Sequence, residues 1–197
     1  VHAVTFAPGG RTLASGGEDG TVCLWDLTTG VAITTLTGHT GAVRTIAFTR
    51  DGAEVATVGL DGRVCLWRST GGPVHELPLQ VPAHAMVTVA VFSPDGTHLV
   101  TGDTTGTVRT WDLTRGTVGS VFPAHGDTIG DLRFSADGTA LITAGTDGNV
   151  FLRDAVSHVP AATLRGARHG VVAVSITRDG GSVLASGNSG PVLMWRL

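Results

Sequence analysis

Three residue types that can perform nucleophilic catalysis occur together in the stretch 38–68. They are His39, Thr57 and Asp61, and an imidazole, a hydroxyl and a carboxylate are the groups of a hydrolytic triad. The same types recur at a regular period along the whole chain, whereas a catalytic site is normally single. The GxSxG turn that presents the nucleophile in one large class of hydrolases is also absent. The recurrence favours a structural role, with a hydrolase as the weaker alternative.

Other reactive side chains form no recognisable site. The glycine-rich turn 14–17 lacks the GxxxxGK[ST] pattern of a phosphate loop, and the chain contains no lysine. Cys23 and Cys65 stand 42 positions apart at matching places, which favours reduced packing residues over a disulfide. Four further histidines lack the spacing of metal ligands and are expected at the surface: His2, His75, His98 and His158. We predict no catalytic residue, no cofactor and no metal.

The stretch 38–68 contains three short runs in which apolar residues alternate with others. Asp51-Gly52 separates the first run from the second, and Asp61-Gly62 separates the second from the third. Asp-Gly between alternating runs is a strong hairpin signal, because glycine reaches positive φ at little cost. The pattern predicts a meander of antiparallel strands.

This meander is one copy of a repeat with a period near 42 residues. Tryptophans mark the end of the third run in four copies, and Arg153 takes the same place in another; the positions are Trp25, Trp67, Trp111, Arg153 and Trp195. The copies span approximately 1–37, 38–82, 83–123, 124–167 and 168–197. Fourth strands are predicted at Val31–Leu36, Val74–Leu77, Thr117–Phe122 and Val159–Leu164. The last copy stops after its third strand, so we predict nineteen strands in a single all-β domain, 1–197.

The repeat resembles the WD-repeat β-propeller family over essentially the whole chain. Gly38-His39 begins one copy, and Trp25-Asp26 and Trp111-Asp112 end two others, as in that family's signature of four strands per copy of about 40–45 residues. The resemblance implies about five four-stranded antiparallel blades. Because similar propellers usually have seven blades, it also implies an incomplete, open propeller.

In similar propellers, a hydrogen-bonded tetrad of histidine, serine or threonine, aspartate and tryptophan pins each blade. The second copy has the full set, His39, Thr57, Asp61 and Trp67. The resemblance assigns partial sets to the other copies: Ser15, Asp19 and Trp25; His84, Thr101 and Trp111; His125, Thr143 and Asp147; His169, Ser186 and Trp195. Thr105 and Ser189 replace the aspartate in the third and fifth copies, and Arg153 replaces the tryptophan in the fourth.

Similar propellers bind partners on one rim, at the loop after the histidine, the start of the first strand and the residue before the second-turn aspartate. These positions hold Glu18, Ala42, Arg44, Leu60, Met86, Thr88, Thr104, Thr128, Thr146, Val172 and Asn188. Arginine is enriched at interface hot spots, so Arg44 is the main candidate, with Leu60 and Met86 as apolar contributors.

Net charge and composition argue against some classes of function. The net charge of −3 gives no attraction to nucleic acid, and no run of 18 apolar residues predicts a membrane span. Thirteen arginines without lysine suggest a bacterial source, and a start at Val1 suggests a segment of a longer protein with fused domains. We predict a cytoplasmic, noncatalytic protein–protein interaction scaffold or sensor module that binds a protein or peptide. The alternative is a purely structural part of a larger propeller whose binding surface lies in missing blades.

Overall fold

A computed structural model describes residues 1–73, 75–77, 82, 84–165 and 170–197. Over these ranges the chain has nineteen β-strands and no helix, so the all-β prediction is confirmed. The chain divides into two compact units, Val1–Phe92 and Ser93–Leu197. The single domain and its repeat boundaries stay a prediction. Within the described ranges no helix is long and apolar enough to cross a bilayer.

The first unit contains two complete sheets and one further strand. The first sheet has the order β1 (Ala3–Phe6), β2 (Thr12–Gly16), β3 (Thr21–Asp26) and β4 (Ala32–Thr37). The second has the order β5 (Val43–Phe48), β6 (Glu54–Gly59), β7 (Val64–Arg68) and β8 (His75–Glu76). Strand β9 (Val87–Phe92) ends the unit. Strands that follow one another along each complete sheet pair antiparallel, as a meander requires.

The second unit holds the remaining ten strands. Three of them belong to the third sheet: β10 (His98–Asp103), β11 (Thr107–Asp112) and β12 (Thr117–Pro123). The strand order of that sheet is β12-β11-β10-β9. The fourth sheet consists of β13 (Ile129–Phe134), β14 (Ala140–Gly145), β15 (Val150–Asp154) and β16 (Pro160–Leu164). The fifth has three strands, β17 (Val171–Ile176), β18 (Ser182–Gly187) and β19 (Leu193–Arg196).

The predicted fourth strands are all present, within a few residues of their expected bounds. The greatest difference is at β8, where only His75 and Glu76 form a strand, against a prediction of Val74–Leu77. Val74 lies outside the described residues.

Aspartate-glycine turns join the first and second strands of the second to fifth sheets, and Gly9-Gly10 stands at this place in the first sheet. In the second sheet Gly52 has a φ of 71°, the left-handed region that glycine reaches without strain. The Asp51 carboxylate accepts hydrogen bonds from the Ala53 N–H at 3.0 Å and the Thr49 hydroxyl at 2.7 Å. The turn thus fixes the strand register from its own residues.

The core of each unit lies between neighbouring sheets. In the first unit Val43 and Ile46 of β5 pack with Val22 and Leu24 of β3, and all four are buried. Each such side chain contributes about 1.5–3 kcal/mol when removed from water. The Thr45 hydroxyl adds a polar link from β5 to β9, where it donates to the Thr88 carbonyl at 3.1 Å. The core therefore fixes the second sheet beside the first.

The second unit has an equivalent core. Ile142 and Val150 of the fourth sheet pack with Val171 and Val174 of the fifth. The polar link here is a carboxylate, because Oδ2 of the buried Asp131 accepts the Val174 N–H at 3.0 Å. Burial raises the pKa of Asp131 above its usual value.

Candidate functional site

The second sheet contains a hydrogen-bonded chain of four side chains. Trp67 Nε1 donates to Thr57 Oγ1 at 2.8 Å, and Thr57 Oγ1 lies 2.8 Å from His39 Nε2. The threonine accepts from the indole, which can only donate, and it gives its own proton to Nε2 of the neutral imidazole, because the ring's Nδ1–H is engaged with a carboxylate that can only accept. His39 Nδ1–H then donates to Asp61, whose two oxygens both lie at 3.0 Å. The structure thus brings all four predicted residues together.

Asp61 closes this chain and also fixes the backbone around it. Its carboxylate accepts the N–H groups of Thr40 at 2.8 Å and Arg63 at 3.1 Å. Burial tends to raise the pKa of Asp61, but these backbone bonds and the bond from His39 outweigh it and lower that pKa below its usual value. Gly59 is required beside them, because a Cβ there would lie 2.4 Å from His39 Nδ1.

The fourth sheet repeats this arrangement with arginine in place of tryptophan. His125 Nδ1 lies 3.0 Å from Asp147 Oδ1, and His125 Nε2 lies 2.9 Å from Thr143 Oγ1. Arg153 Nε donates to the same hydroxyl at 3.4 Å. Burial lowers the pKa of His125, an effect that the bond to Asp147 opposes. Arg153 therefore supplies the donor that the indole supplies in the second sheet.

Arg153 is buried by aromatic rings and backbone carbonyls. Its terminal nitrogens donate to the carbonyls of Ala124 at 2.8 Å and His158 at 3.1 Å. Its guanidinium carbon lies 5.0 Å from the ring centroid of Phe151 and 5.5 Å from that of Phe122, within cation–π range. Burial lowers the pKa of Arg153. A planar cation with several donors can fill the tryptophan position because it satisfies these acceptors.

The first and third sheets keep only the bond between tryptophan and hydroxyl. Trp25 Nε1 donates to Ser15 Oγ at 2.8 Å, and Trp111 Nε1 donates to Thr101 Oγ1 at 3.1 Å. Asp19 is exposed and accepts the N–H and hydroxyl of Thr21 in its own turn.

The assignment of His84 to a tetrad is wrong, because His84 is exposed. It stands 17 positions before Thr101, whereas His39 and His125 stand 18 positions before their threonines. The shorter interval displaces the ring from the buried site.

A buried ion pair in the third sheet was missed by reasoning from sequence. Asp103 Oδ2 accepts a hydrogen bond from Arg109, and both side chains are buried. Burial tends to raise the pKa of Asp103, but hydrogen bonds from the Thr105 hydroxyl, Arg109 and the Thr107 N–H lower it overall. The available signal was the replacement of a glycine: Asp103 takes the place that Gly59 and Gly145 hold. In the second and fourth sheets a buried histidine ring leaves room only for glycine there, whereas in the third sheet His84 is exposed and the Asp103 side chain fits.

The assignment of Ser186 to the fifth tetrad is wrong by one residue. Val183 pairs with Trp195 as Val55 pairs with Trp67, so Ala185 takes the hydroxyl position and Ser186 lies on the opposite face of β18. Alanine has no acceptor, and Trp195 Nε1 donates instead to the Arg165 carbonyl at 2.9 Å. The predicted His169 lies outside the described residues.

The predicted rim of the first unit comprises Glu18, Ala42, Arg44, Leu60, Met86 and Thr88. Arg44 donates to Nδ1 of His2 at 3.4 Å, which leaves His2 Nε2–H to donate to Glu18. The bond from His2 lowers the pKa of Glu18. The structure thus joins Arg44 and Glu18 through His2.

Two of the predicted rim residues of the first unit are exposed apolar side chains. Val43 pairs with Gly59, and because the strands are antiparallel, Arg44 and Leu60 flank this pair on opposite sides. Leu60 is 44% exposed and Met86 is 39% exposed. Ala42 is only 3% exposed, so its assignment as a contact residue is wrong. Its carbonyl accepts the Leu60 N–H at 2.8 Å, so Ala42 fixes the Leu60 backbone instead.

The predicted rim of the second unit is mainly threonine: Thr104, Thr128, Thr146, Val172 and Asn188. The Thr128 hydroxyl donates to the Thr104 carbonyl at 3.3 Å, and the Thr146 hydroxyl donates to the Thr128 carbonyl at 3.4 Å. These internal bonds use the hydroxyl protons that a partner would otherwise accept. Asn188 is exposed, and Val172 is 36% exposed.

Cysteines and metal ligands add no reactive centre to the described part of the chain. Cys23 and Cys65 are both free, and burial raises the pKa of the Cys65 thiol to about 11. A thiol with that pKa is protonated at neutral pH and is a poor nucleophile. Among the described residues no group of three histidine, cysteine or acidic side chains is placed to hold a metal ion.

Repeated four-stranded antiparallel sheets with internal links from tryptophan to hydroxyl define the class of WD-repeat proteins. The family model described as "WD domain, G-beta repeat" (WD40) matches residues 1–26, 30–68, 73–112 and 116–154. The chain belongs to this family. WD40 repeats serve in general as non-catalytic scaffolds for protein–protein interaction.

Two curated relatives each match over 46 residues, 23% of the chain. The match to the "Periodic tryptophan protein 2 homolog" of Dictyostelium discoideum is 41% identical and covers 5% of that protein. The match to the "Nuclear distribution protein nudF 1" of Talaromyces marneffei is 44% identical and covers 10% of that protein. The similarity therefore spans a small part of each relative.

Proposed function

We propose that this chain is a noncatalytic module of a larger protein and binds a protein partner through Arg44 and Leu60. The observation that carries the proposal is an exposed arginine and an exposed leucine that flank one strand pair, with Arg44 oriented by His2. Arginine is enriched at interface hot spots. The partner would place a carboxylate on Arg44 and an apolar side chain on Leu60.

The burial of the histidine networks supports a noncatalytic function. His39 and Thr57 are both buried, and each of their polar side-chain atoms has a partner within the network. A substrate would have to displace Trp67 or Asp61 to reach the hydroxyl. These groups satisfy one another, which is what buried polar groups in a stable fold do.

A capture experiment with matched variants tests the rim. The intact chain and its Arg44→Glu, Leu60→Ser and Arg50→Glu variants are immobilised, and bound proteins from a bacterial lysate are compared by quantitative mass spectrometry. Arg50 is an exposed arginine at the other end of β5 and serves as the control. We expect a protein that is held by the wild type and by Arg50→Glu but is lost from the other two variants.

Two results would contradict this proposal. Retention of the same protein by Arg44→Glu would remove the assignment of the site. Turnover of an ester or peptide substrate that disappears in a folded His39→Ala variant would show an enzyme instead. Circular dichroism of each variant shows that the fold is intact before binding is compared.

A further inference from the structure

Both sheet cores described above join two different faces of the repeat. In the first unit, the side of the first sheet that carries Val22 and Leu24 packs against the side of the second that carries Ile46. In the second unit, Val150 of the fourth sheet packs in the same core as Val174 of the fifth. We call the side that contacts the following sheet the trailing face, and the side that contacts the preceding sheet the leading face.

Val4 and Phe6 of β1 belong to the leading face of the first sheet. They stand as far before the glycine of the first turn as Ile46 and Phe48 do in the second sheet. Ile46 is buried in the core of the first unit, and Phe48 packs against that core. Val4, in contrast, is 58% exposed and Phe6 is 64% exposed. The first sheet therefore presents to solvent the face that its neighbour buries.

Val192 and Met194 belong to the trailing face of the fifth sheet. They stand as far before the tryptophan of β19 as Val22 and Leu24 do before that of β3, and β18 pairs with β19 in the same register as β2 with β3. Val22 and Leu24 are fully buried, whereas Val192 is 64% exposed and Met194 is 61% exposed. The leading face of the same sheet lies in the core of the second unit. The fifth sheet therefore buries one face and presents the other to solvent.

The exposed parts of both faces are apolar. The strand partner of Phe6 is Leu13, and that of Met194 is Leu184. Neither pair carries a charge, so burial of these positions would desolvate none. Exposed apolar patches of this kind mark surfaces that bind another protein.

We propose that the leading face of the first sheet in one copy of this chain binds the trailing face of the fifth sheet in a second copy. The two cores identify the occupant, because in both of them a leading face is covered by a trailing face of the same repeat. The chain exposes one face of each kind, so a second copy supplies the match for either. None of the residues involved belongs to the site around Arg44 and Leu60, and the inference is independent of that site.

The symmetry of this contact determines which assemblies form. The two faces differ, so the contact is head-to-tail, and each dimer keeps one free leading face and one free trailing face. Such contacts add further copies until the assembly closes into a ring or grows as a filament. We expect wild-type chains to form dimers and larger species as concentration rises.

Sedimentation velocity over a range of protein concentrations measures this association. Val4→Glu blocks the leading face and Met194→Glu blocks the trailing face. Each should weaken self-association by at least about tenfold, because it places an unpaired charge in an apolar contact. The matched control is Val156→Glu, in the turn between β15 and β16, where the valine is 87% exposed. The control should associate as the wild type does.

A mixture of the two blocked variants is the sharpest test of the head-to-tail arrangement. Val4→Glu retains a trailing face and Met194→Glu retains a leading face, so neither associates alone, but together they should form a dimer of one copy each and nothing larger. Native mass spectrometry with one variant labelled with ¹⁵N distinguishes this dimer from pairs of identical copies. Circular dichroism and the urea midpoint show that each variant is folded.

Four results would overturn the proposal. Wild-type chains that stay monomeric at every concentration would show that these faces do not bind a second copy and are left for other sheets of a longer protein. Self-association of Met194→Glu alone at wild-type strength would show that two leading faces pair with each other. Association of Val4→Glu at wild-type strength would exclude the first sheet, and absence of the mixed dimer would exclude the head-to-tail contact.

Discussion

Replacement of Asp61 by alanine is the sharpest test of the network in the second sheet. The change removes the acceptor for His39 Nδ1–H and for the N–H groups of Thr40 and Arg63. The His39 ring is buried, so water cannot replace the carboxylate there. Thr40 is exposed, and its N–H can be hydrated after the substitution. The imidazole N–H is therefore the group that is left without a partner.

The structure sets the expected magnitude. One buried donor without an acceptor costs about 1–3 kcal/mol, and the lost backbone bonds bring the expected fall in unfolding free energy to about 2–4 kcal/mol. For a chain of this size that fall lowers Tm by about 5–15 °C. The pKa of Asp61 is lowered by folding, so its contribution is complete at neutral pH and is lost as pH falls below the usual aspartate value of 3.8.

Urea unfolding at pH 7, followed by tryptophan fluorescence, measures the change. Asp51→Ala is the control, because Asp51 accepts an N–H and a hydroxyl in an exposed turn where water replaces it. We expect a loss of less than about 1 kcal/mol in the control. Equal losses in the two variants, or an unchanged midpoint for Asp61→Ala, would refute the argument that His39 depends on this carboxylate.

Three other substitutions or conditions have defined outcomes. Arg109→Met should lower the unfolding free energy by about 3–5 kcal/mol, because it leaves Asp103 buried and charged without a partner. The double variant Asp103→Gly with Arg109→Cys removes both charges and should cost less in the same urea assay. Arg153→Ala should cost about 2–4 kcal/mol through the loss of donors to two carbonyls, with Arg153→Lys recovering only part of it. Unfolding free energy should fall as pH is lowered below 6.5, since burial lowers the pKa of His125 and the unfolded chain takes up the proton first; a His125→Gln variant should show a shallower dependence between pH 7 and pH 5.

The strands could be predicted from the sequence because their signals are local. Alternation of apolar residues and Asp-Gly turns such as Asp51-Gly52 depend on a few neighbouring positions, and they specify the meander without knowledge of the tertiary structure. The places where prediction failed are those at which one residue of register decides which face of a strand a side chain occupies.

Ser186 and His84 show this limit. A shift of one residue turns a strand side chain to the opposite face, so a match of residue type at the wrong position has no structural meaning. Ala185, not Ser186, faces Trp195, and this follows from counting strand pairs rather than motif residues. His84 fails by the same single position.

Compensating substitutions were harder to predict than the repeated network. From the sequence, Arg153 in a tryptophan position predicts an incomplete tetrad. The carbonyl and aromatic neighbours that hold the guanidinium are known only from the structure. Neither Asp103 nor Arg109 alone predicts a buried ion pair, because each charge is stable in the core only with the other beside it. Partner-contact residues on the rim are harder still to predict, because they must be exposed and exposure depends on the tertiary structure. Leu60 is exposed, whereas Ala42 is buried.

The order of strands within the sheets has a consequence for how the chain folds. Each sheet is built from strands that follow one another in sequence, from β1-β2-β3-β4 to β17-β18-β19. Contacts between sequence neighbours close short loops at low entropic cost, and proteins rich in them fold faster than other β proteins. A ribosome that releases one repeat of about 40–45 residues has released every strand of one sheet. Each sheet can therefore pair its strands during synthesis, before the next repeat has left the exit tunnel.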